Sequence, residues 1–425
     1  MASVALVLLL SFRRQSELIG CYLPAARRVL EGLALPGPEG WVYPPVFTLP
    51  VLPLIALPVW LARAVWCLLL VTAVTLALRW MWRALVLDAA FRQAMVRPRR
   101  FVAFVLLVLG ASLGHELSPM TYQAHDVIVL ALVSAGAFQG ARAATEIASP
   151  ARGAGERRAG ICFGLAASFK VMPVLFLPVL VAQRRWRAAF AMGCTGLLSA
   201  AAFELLTWLG TGRAHLPAWL RLASSGSDLT ASGGGRWGAW NPLNQSGTGI
   251  LTRLMVPTPT DRGLDHECMV LAVDESTRRV VLGCWVLGVI AALLLVAWRT
   301  ARSTRPGVVT AGGSPALHAV AAAGATACAY VLVAPHASNY HFAPLMLAAA
   351  AMAAWLAARS RDATILIALG LMILIELIPG RDVLGGRLSD IKLAYGSVGL
   401  CALAGLVGAM RVMVLASRPA PPVVP

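Results

Sequence analysis

The chain has 425 residues, 59% of them hydrophobic and 13% charged, with a formal net charge of +17. That apolar content excludes an ordinary soluble enzyme and predicts an all-α polytopic integral membrane protein, one transmembrane domain over residues 1–425. The arginines collect at helix ends and short loops rather than on one basic face, so the positive charge reports topology and no nucleic-acid partner is expected.

Apolar runs predict approximately ten or eleven membrane segments. Ala2–Phe12 is too short to span and leads into Arg13 and Arg14 without a small-residue cleavage site, so no cleavable signal is expected. Arg13–Trp41 is polar. The helical periodicity of Ser16–Leu33 predicts a juxtamembrane helix in the outer interface, although Arg27 and Arg28 there run against the charge rule. The pair Pro44-Pro45 stiffens the apolar entry Tyr43–Pro58. Spans are then predicted near Val59–Trp80, Phe101–Gly114, Asp126–Gln139, Ala188–Leu209, Val280–Trp298, Pro315–Val333, Ala343–Ala357, Ala363–Ile378 and Tyr395–Met410. Gly210–Arg279 is the largest polar insertion. It is read as an outer loop with a flexible tip at Ser224–Gly235 and tryptophan anchors at Trp219, Trp237 and Trp240.

Ala159–Ala182 stands apart from these spans. It is apolar except for Lys170, and basic clusters flank it at Arg157–Arg158 and Arg184–Arg187. With both clusters on the cytoplasmic side, the segment must enter the membrane and return, yet one crossing alone needs roughly 20 residues. A re-entrant pair of half-helices broken around Lys170 and Pro173 meets both demands, and such a break is tolerated where it lines a cavity. Of the chain's 36 basic residues only Lys170 and Lys392 are lysine. A compact ammonium at the apex suits an anionic group such as a lipid phosphate; the alternative is a lysine snorkelling at the end of a single crossing.

Further polar stretches fall on the outer side. Glu17 is the first candidate base, or else a first-turn acid favoured by the helix dipole with Ser16 as N-cap. Asp126 is the reserve base, or the N-terminal acid of its own helix. His341 is read as a phosphate donor or base-orienting group, with His336 as a weaker candidate, against a plain interfacial role. Arg253 is a phosphate contact or a solvated loop arginine. Asn244 and Gln245 bind sugar hydroxyls or cap a short helix. Glu204 and Glu376 sit in apolar runs and are expected to pair with Arg213 and Arg381. The eight cysteines lack metal-ligand spacing and read as small hydrophobes. Asp265-His266-Glu267-Cys268 is not read as a zinc site. No metal or other cofactor is expected, and no Asp-x-Asp signature of metal-dependent sugar-nucleotide transferases occurs.

In order, the chain shows Glu17 with Tyr22 and Ala25-Ala26-Arg27, then Tyr43-Pro44-Pro45, Tyr122-Gln123-Ala124-His125, Gly164 to Lys170 and Pro173, Asn244-Gln245-Ser246, and Ser338 to His341. This series resembles glycosyltransferase family 87, the polyprenol-phosphate-mannose-dependent mannosyltransferases of the GT-C class. The resemblance implies a GT-C helical bundle in a cell inner membrane, with its site facing the periplasm or exterior. It implies transfer of a hexose, mannose in the family, from a polyprenyl-phosphate-linked donor to a glycolipid or glycan hydroxyl. It also puts Tyr43 and Gln123 among the substrate-binding residues. The chain departs from the family pattern at Glu17, where aspartate is expected, at His125, which replaces asparagine, and at Asn339-Tyr340. Two other readings remain at this stage: a secondary transporter or lipid flippase with Lys170 at its midplane site, and a non-catalytic relative in envelope assembly.

Overall fold

The computed structural model describes residues 16–35, 43–146, 150–226, 241–257, 268–303, 313–359, 361–378 and 381–418. The predicted segment Ala2–Phe12, Arg13 and Arg14, the tip with Trp237 and Trp240, and Asp265–Glu267 lie outside them. The described residues form helices and no strand. A π-helical turn at Leu18–Tyr22 runs into α1 (Leu23–Leu30), and two 3-10 turns, Pro45–Thr48 and Leu52–Ala56, form the proline-stiffened entry. There follow α2 (Val59–Leu85), α3 (Ala89–Met95), α4 (Pro98–Tyr122), α5 (Asp126–Thr145) and α6 (Pro150–Phe169). A 3-10 turn at Met172–Leu175 leads to α7 (Phe176–Ala182), then α8 (Trp186–Thr211), α9 (Leu216–Gly226), α10 (Gly247–Met255), α11 (Glu275–Ser303) and α12 (Pro315–Val333). A 3-10 segment, Asn339–Leu345, precedes α13 (Met346–Ala358), α14 (Ala363–Leu377), α15 (Arg381–Ala394) and α16 (Ser397–Ala416).

Eight helices among the described residues are long and apolar enough to cross a membrane, fewer than the sequence suggests. The shortfall arises in the entry segment, the hairpin arm Met172–Ala182 and α14, each apolar but short. The span expected at Phe101–Gly114 is longer, since α4 continues through Pro119 to Tyr122. In α12, 94% of the apolar window is buried, against 17% in α8 and α11, so α12 is the central helix and α8 and α11 present apolar faces outward. Alanine and glycine make that centre possible: α12 packs against α5, α13 and α16 with few bulky side chains between the backbones.

The hairpin is broken where its sequence predicts, between Phe169 and Met172, with Lys170 at the apex. Its arms are unequal. α6 begins at Pro150, and its first turns carry Arg152, Glu156, Arg157 and Arg158, with an Arg152–Glu156 pair at 3.5 Å. The apolar remainder, Ala159–Phe169, spans ~16 Å at 1.5 Å per residue, about half a bilayer. The return arm, Met172–Ala182, matches that length. Gly160 and Gly164 seat α6 on α8: a Cβ at Gly160 would overlap the Ala188 carbonyl, and one at Gly164 would lie 2.7 Å from the Met192 carbonyl. This small-xxx-small pair sets the depth at which Lys170 is held.

Antiparallel packing gives the bundle two polar ends. One gathers the arginines of α2–α4, α6, α8 and α16, with Arg359 just after α13. The other gathers the ends of α4, α6 and α12, the starts of α5 and α16, and the Asn339–Leu345 segment.

Candidate active site

Helix starts and breaks, rather than helix interiors, present the polar groups at this second end. α4 stops at Tyr122 because Gln123 takes the left-handed conformation, φ 56°, and α5 begins at Asp126 three residues later. Asp126 therefore points from the first turn of α5 toward the break after α6, where its Oδ1 pairs with the Lys170 ammonium. Both side chains are buried, at 2% and 6% exposure. A buried ion pair holds only while both partners remain charged and hydrogen-bonded. Asp126 Oδ2, on the same carboxylate, accepts no hydrogen bond from any described residue.

Three groups enclose this pair. The Tyr340 ring lies under the Lys170 ammonium, its centroid 5.9 Å from Nζ. His341 follows it in the 3-10 segment. Its Nδ1 accepts from the Ser338 amide at 3.0 Å, so the neutral imidazole carries its proton on Nε2. That Nε2 is buried and has no hydrogen-bond partner among the described residues. Lys170 and His336 both lie within electrostatic range of His341. The Glu17 carboxylate, at the start of the Leu18–Tyr22 turn and only partly buried, lies within electrostatic range of Lys170, Tyr22, Tyr43 and Tyr340. The turn itself is anchored through the Ser16 carbonyl, which accepts from the amides of Ile19 and Gly20 at 3.1 and 2.8 Å.

An aromatic wall closes one side. Tyr22 Oη is 2.9 Å from His125 Nδ1 and accepts from the His125 amide at 3.3 Å. The His125 ring stacks on Phe47 at 4.0 Å, and Tyr43 meets His125 edge-on at 4.6 Å. Burial pushes the Tyr22 and Tyr43 phenols well above their ordinary range, with the Glu17 charge adding to the effect at both, so both remain protonated donors. The sequence quoted Tyr22, His125 and Tyr340 within motifs without assigning them roles; their contacts join residues that lie far apart in the chain.

Four candidates make contacts away from the Lys170–Asp126 pair. Gln123 is buried behind the wall: Ser16 donates to its Oε1, its Nε2 is 3.4 Å from Cys67 Sγ, and its carbonyl accepts from Trp66 Nε1 at 2.8 Å. Asn244 accepts from the Ser246 amide and hydroxyl at 3.2 and 2.9 Å, beside the Ser246 cap of α10, and ties it to the 335–337 strap through Pro335 O at 3.2 Å and the Ala337 amide at 3.2 Å. Gln245 bridges Pro242 O, Leu393 O and the Val398 amide. Arg253 is fully buried and donates to the carbonyls of Ala394, Asn241 and Asn244 at 3.0, 3.2 and 2.9 Å. These four brace the loops around the site. Asn244, Gln245 and Arg253 do so by meeting backbone groups that cross-connections leave without helix partners.

One further expectation is corrected: Glu204 accepts from the amides of His215 and Leu216, capping α9, rather than pairing with Arg213. Glu376 lies against His115 and Gly114, and the Arg381 side chain expected to pair with it lies outside the described residues. Of the outward arginines, Arg28 turns its Nε onto the Ala34 carbonyl at 3.1 Å.

The family model described as glycosyltransferase family 87 matches residues 41–312. Lys170, Asp126 and Tyr43 fall inside the matched stretch, whereas Glu17 and His341 fall outside it. No curated protein and no solved structure matches the chain.

Proposed function

The chain belongs to glycosyltransferase family 87, and we propose that this membrane glycosyltransferase moves a hexose, mannose by family resemblance, from a polyprenyl-phosphate donor to a glycolipid or glycan hydroxyl. The reading places the protein in a bacterial inner membrane with the Lys170 end facing the periplasm or exterior. The arginine-rich opposite end supports that orientation.

One observation carries the proposal: a buried lysine at the apex of a half-membrane hairpin, flanked by a buried imidazole N–H without a partner among the described residues. A lipid phosphate reaching that depth replaces Asp126 as the partner of Lys170 and meets His341 Nε2–H. Asp126 keeps the ammonium charged and aimed while the site is empty. Glu17, less buried and set across from Lys170, takes the proton of the acceptor hydroxyl. The acceptor oxygen then bonds to the anomeric carbon as the bond from that carbon to the phosphate oxygen breaks. The phosphate leaves with the electron pair, and Lys170 and His341 stabilise its added charge. One base and no protein nucleophile make this a single displacement with inversion. Tyr22, Tyr43 and His125 supply an apolar wall with polar edges suited to a sugar face and its hydroxyls.

The test is sugar transfer by protein in lipid with radiolabelled polyprenyl-phosphate-mannose and a glycolipid extract, comparing wild type with Lys170→Ala and Glu17→Gln. Transfer lost in both variants supports donor class and roles alike. Transfer that survives Glu17→Gln moves the base to Asp126. No transfer from any lipid-linked donor, together with coupled uptake in proteoliposomes, overturns the reading in favour of transport.

A further inference from the structure

Away from this site, packing gathers three metal-competent side chains: His115 on α4, Glu376 in the last turn of α14 and Cys401 in the first turns of α16. Each offers one donor atom, and the three atoms all lie within 4.8 Å of one another. His115 and Cys401 are buried, and the Glu376 side chain is 14% exposed, which leaves a path from the helix end.

The three are already in contact: His115 Nε2 lies 2.9 Å from Glu376 Oε1, and Cys401 lies within hydrogen-bonding reach of His115. A divalent cation would take the place of the proton that these groups share. The carboxylate is also held in place: Glu376 Oε2 accepts from the Gly114 amide at 3.0 Å, and a Cβ at Gly114 would overlap that oxygen. An outer hydrogen bond that fixes the aim of a ligand is typical of built metal sites.

The donor set selects the ion. Imidazole, carboxylate and thiolate together suit zinc-class divalent cations, whereas magnesium and calcium avoid sulfur. Tetrahedral zinc with bonds of about 2.0–2.3 Å holds its donors roughly 3.3–3.7 Å apart. The observed spacings, from 2.9 Å up to within 4.8 Å, bracket that range, so shifts of about an ångström close the site. One thiolate and one carboxylate neutralise a dication, which suits a place walled by apolar helices. On binding, the Cys401 thiol gives its proton to solvent. The Lys392 ammonium lies within electrostatic range of Glu376 but donates to the Ile378 carbonyl at 2.9 Å.

We propose that His115, Glu376 and Cys401 form a zinc-class metal site, with a water in the fourth position, that fastens α4, α14 and α16 to one another. It stands behind the candidate active site: the His115 ring packs against Phe342 at 5.8 Å, next to His341 in the 3-10 segment. The proposal does not depend on the donor or acceptor named above.

The test uses the full chain in lipid nanodiscs, stripped with chelator and titrated with Zn2+ and, separately, Co2+. Expected are one ion per chain, a thiolate-to-cobalt absorption band, and a rise in Tm with Zn2+. Cys401→Ser should lose the band, and Glu376→Gln should weaken Zn2+ binding roughly 10- to 100-fold or more. A wild-type protein without the cobalt band overturns the proposal, and needs no variant to fold. Equal binding by wild type and both variants also overturns it, as an adventitious ion only.

Discussion

The two polar ends of the bundle carry charge for different purposes. At the arginine-rich end, carboxylates cap helices and arginines close over them. Asp88 caps α3 through the Phe91 amide and pairs with Arg359 at 2.6 Å, while Asp362 caps α14 through Ile365 and pairs with Arg411 at 2.8 Å. Burial is the largest influence on the Asp88 carboxyl and raises it, but the hydrogen bonds from Arg359, Ser314 and the Phe91 amide, with the Arg359 charge, together hold the group below its usual range; for Asp362 the Arg411 hydrogen bond is itself the largest influence and lowers it. Each of these carboxylates is consumed by its cap and its bridge. At the opposite end, Asp126 Oδ2 and His341 Nε2 are buried polar atoms without partners among the described residues. Buried polar groups are costly to leave unmatched; Arg359 Nη1 and Arg185 Nη2 at the arginine-rich end also lack partners among the described residues, so the ends differ in their carboxylates, which are matched at that end and half-matched at Asp126.

Substitutions at the two ends should therefore diverge. Glu17→Gln should lower kcat by roughly 100- to 10,000-fold with Tm nearly unchanged, as expected for loss of a general base; wild-type turnover by this variant would reassign the base. Lys170→Ala should cost about 100- to 1,000-fold in kcat. Asp126→Asn, by leaving a buried ammonium unmatched, should destabilise the fold by about 3–5 kcal/mol. Chemical denaturation in mixed micelles measures that loss, and Lys170→Ala, which leaves the Asp126 carboxylate buried without its cation, should lower stability too.

Arg253→Met tests the bracing role of this buried arginine. If Arg253 braces carbonyls, the variant loses roughly 1–3 kcal/mol of stability while transfer per folded molecule and KM for the donor persist. A selective rise in KM would restore it as a phosphate contact. The smallest effect is expected at the arginine-rich end. The Asp362 carboxyl is held low by Arg411, so its contribution is present above the unfolded value of about 4 and fades as pH falls through the lower folded value. Asp362→Asn should thus lower Tm slightly at neutral pH, with the gap closing only in acid. A gap that persists unchanged in strong acid would count against the ion pair.

Much of this was legible from residue patterns. Lys170, an isolated charge in an apolar run between arginine clusters, marked the hairpin and its break, because charge placement and bilayer thickness constrain the chain locally. For Asn244, Gln245 and Arg253 the residue pattern left two readings open for a physical reason. A polar side chain in a loop reads the same whether it faces a sugar or an orphaned carbonyl, and only the neighbouring backbone decides. Here that backbone comes from Pro335, Leu393 and Ala394, far along the chain.

The sequence by itself determined the all-α membrane class, the basic end, the broken hairpin and the family resemblance, since each follows from composition, hydropathy or short ordered motifs. Only the tertiary structure decided that Lys170 faces Asp126 across 44 residues, that Tyr22 holds His125 across 103, and that His115, Glu376 and Cys401 meet. Contacts of that kind depend on helix crossings and on how closely Gly160, Gly164 and Gly114 let neighbouring groups approach, and a linear pattern does not encode those distances.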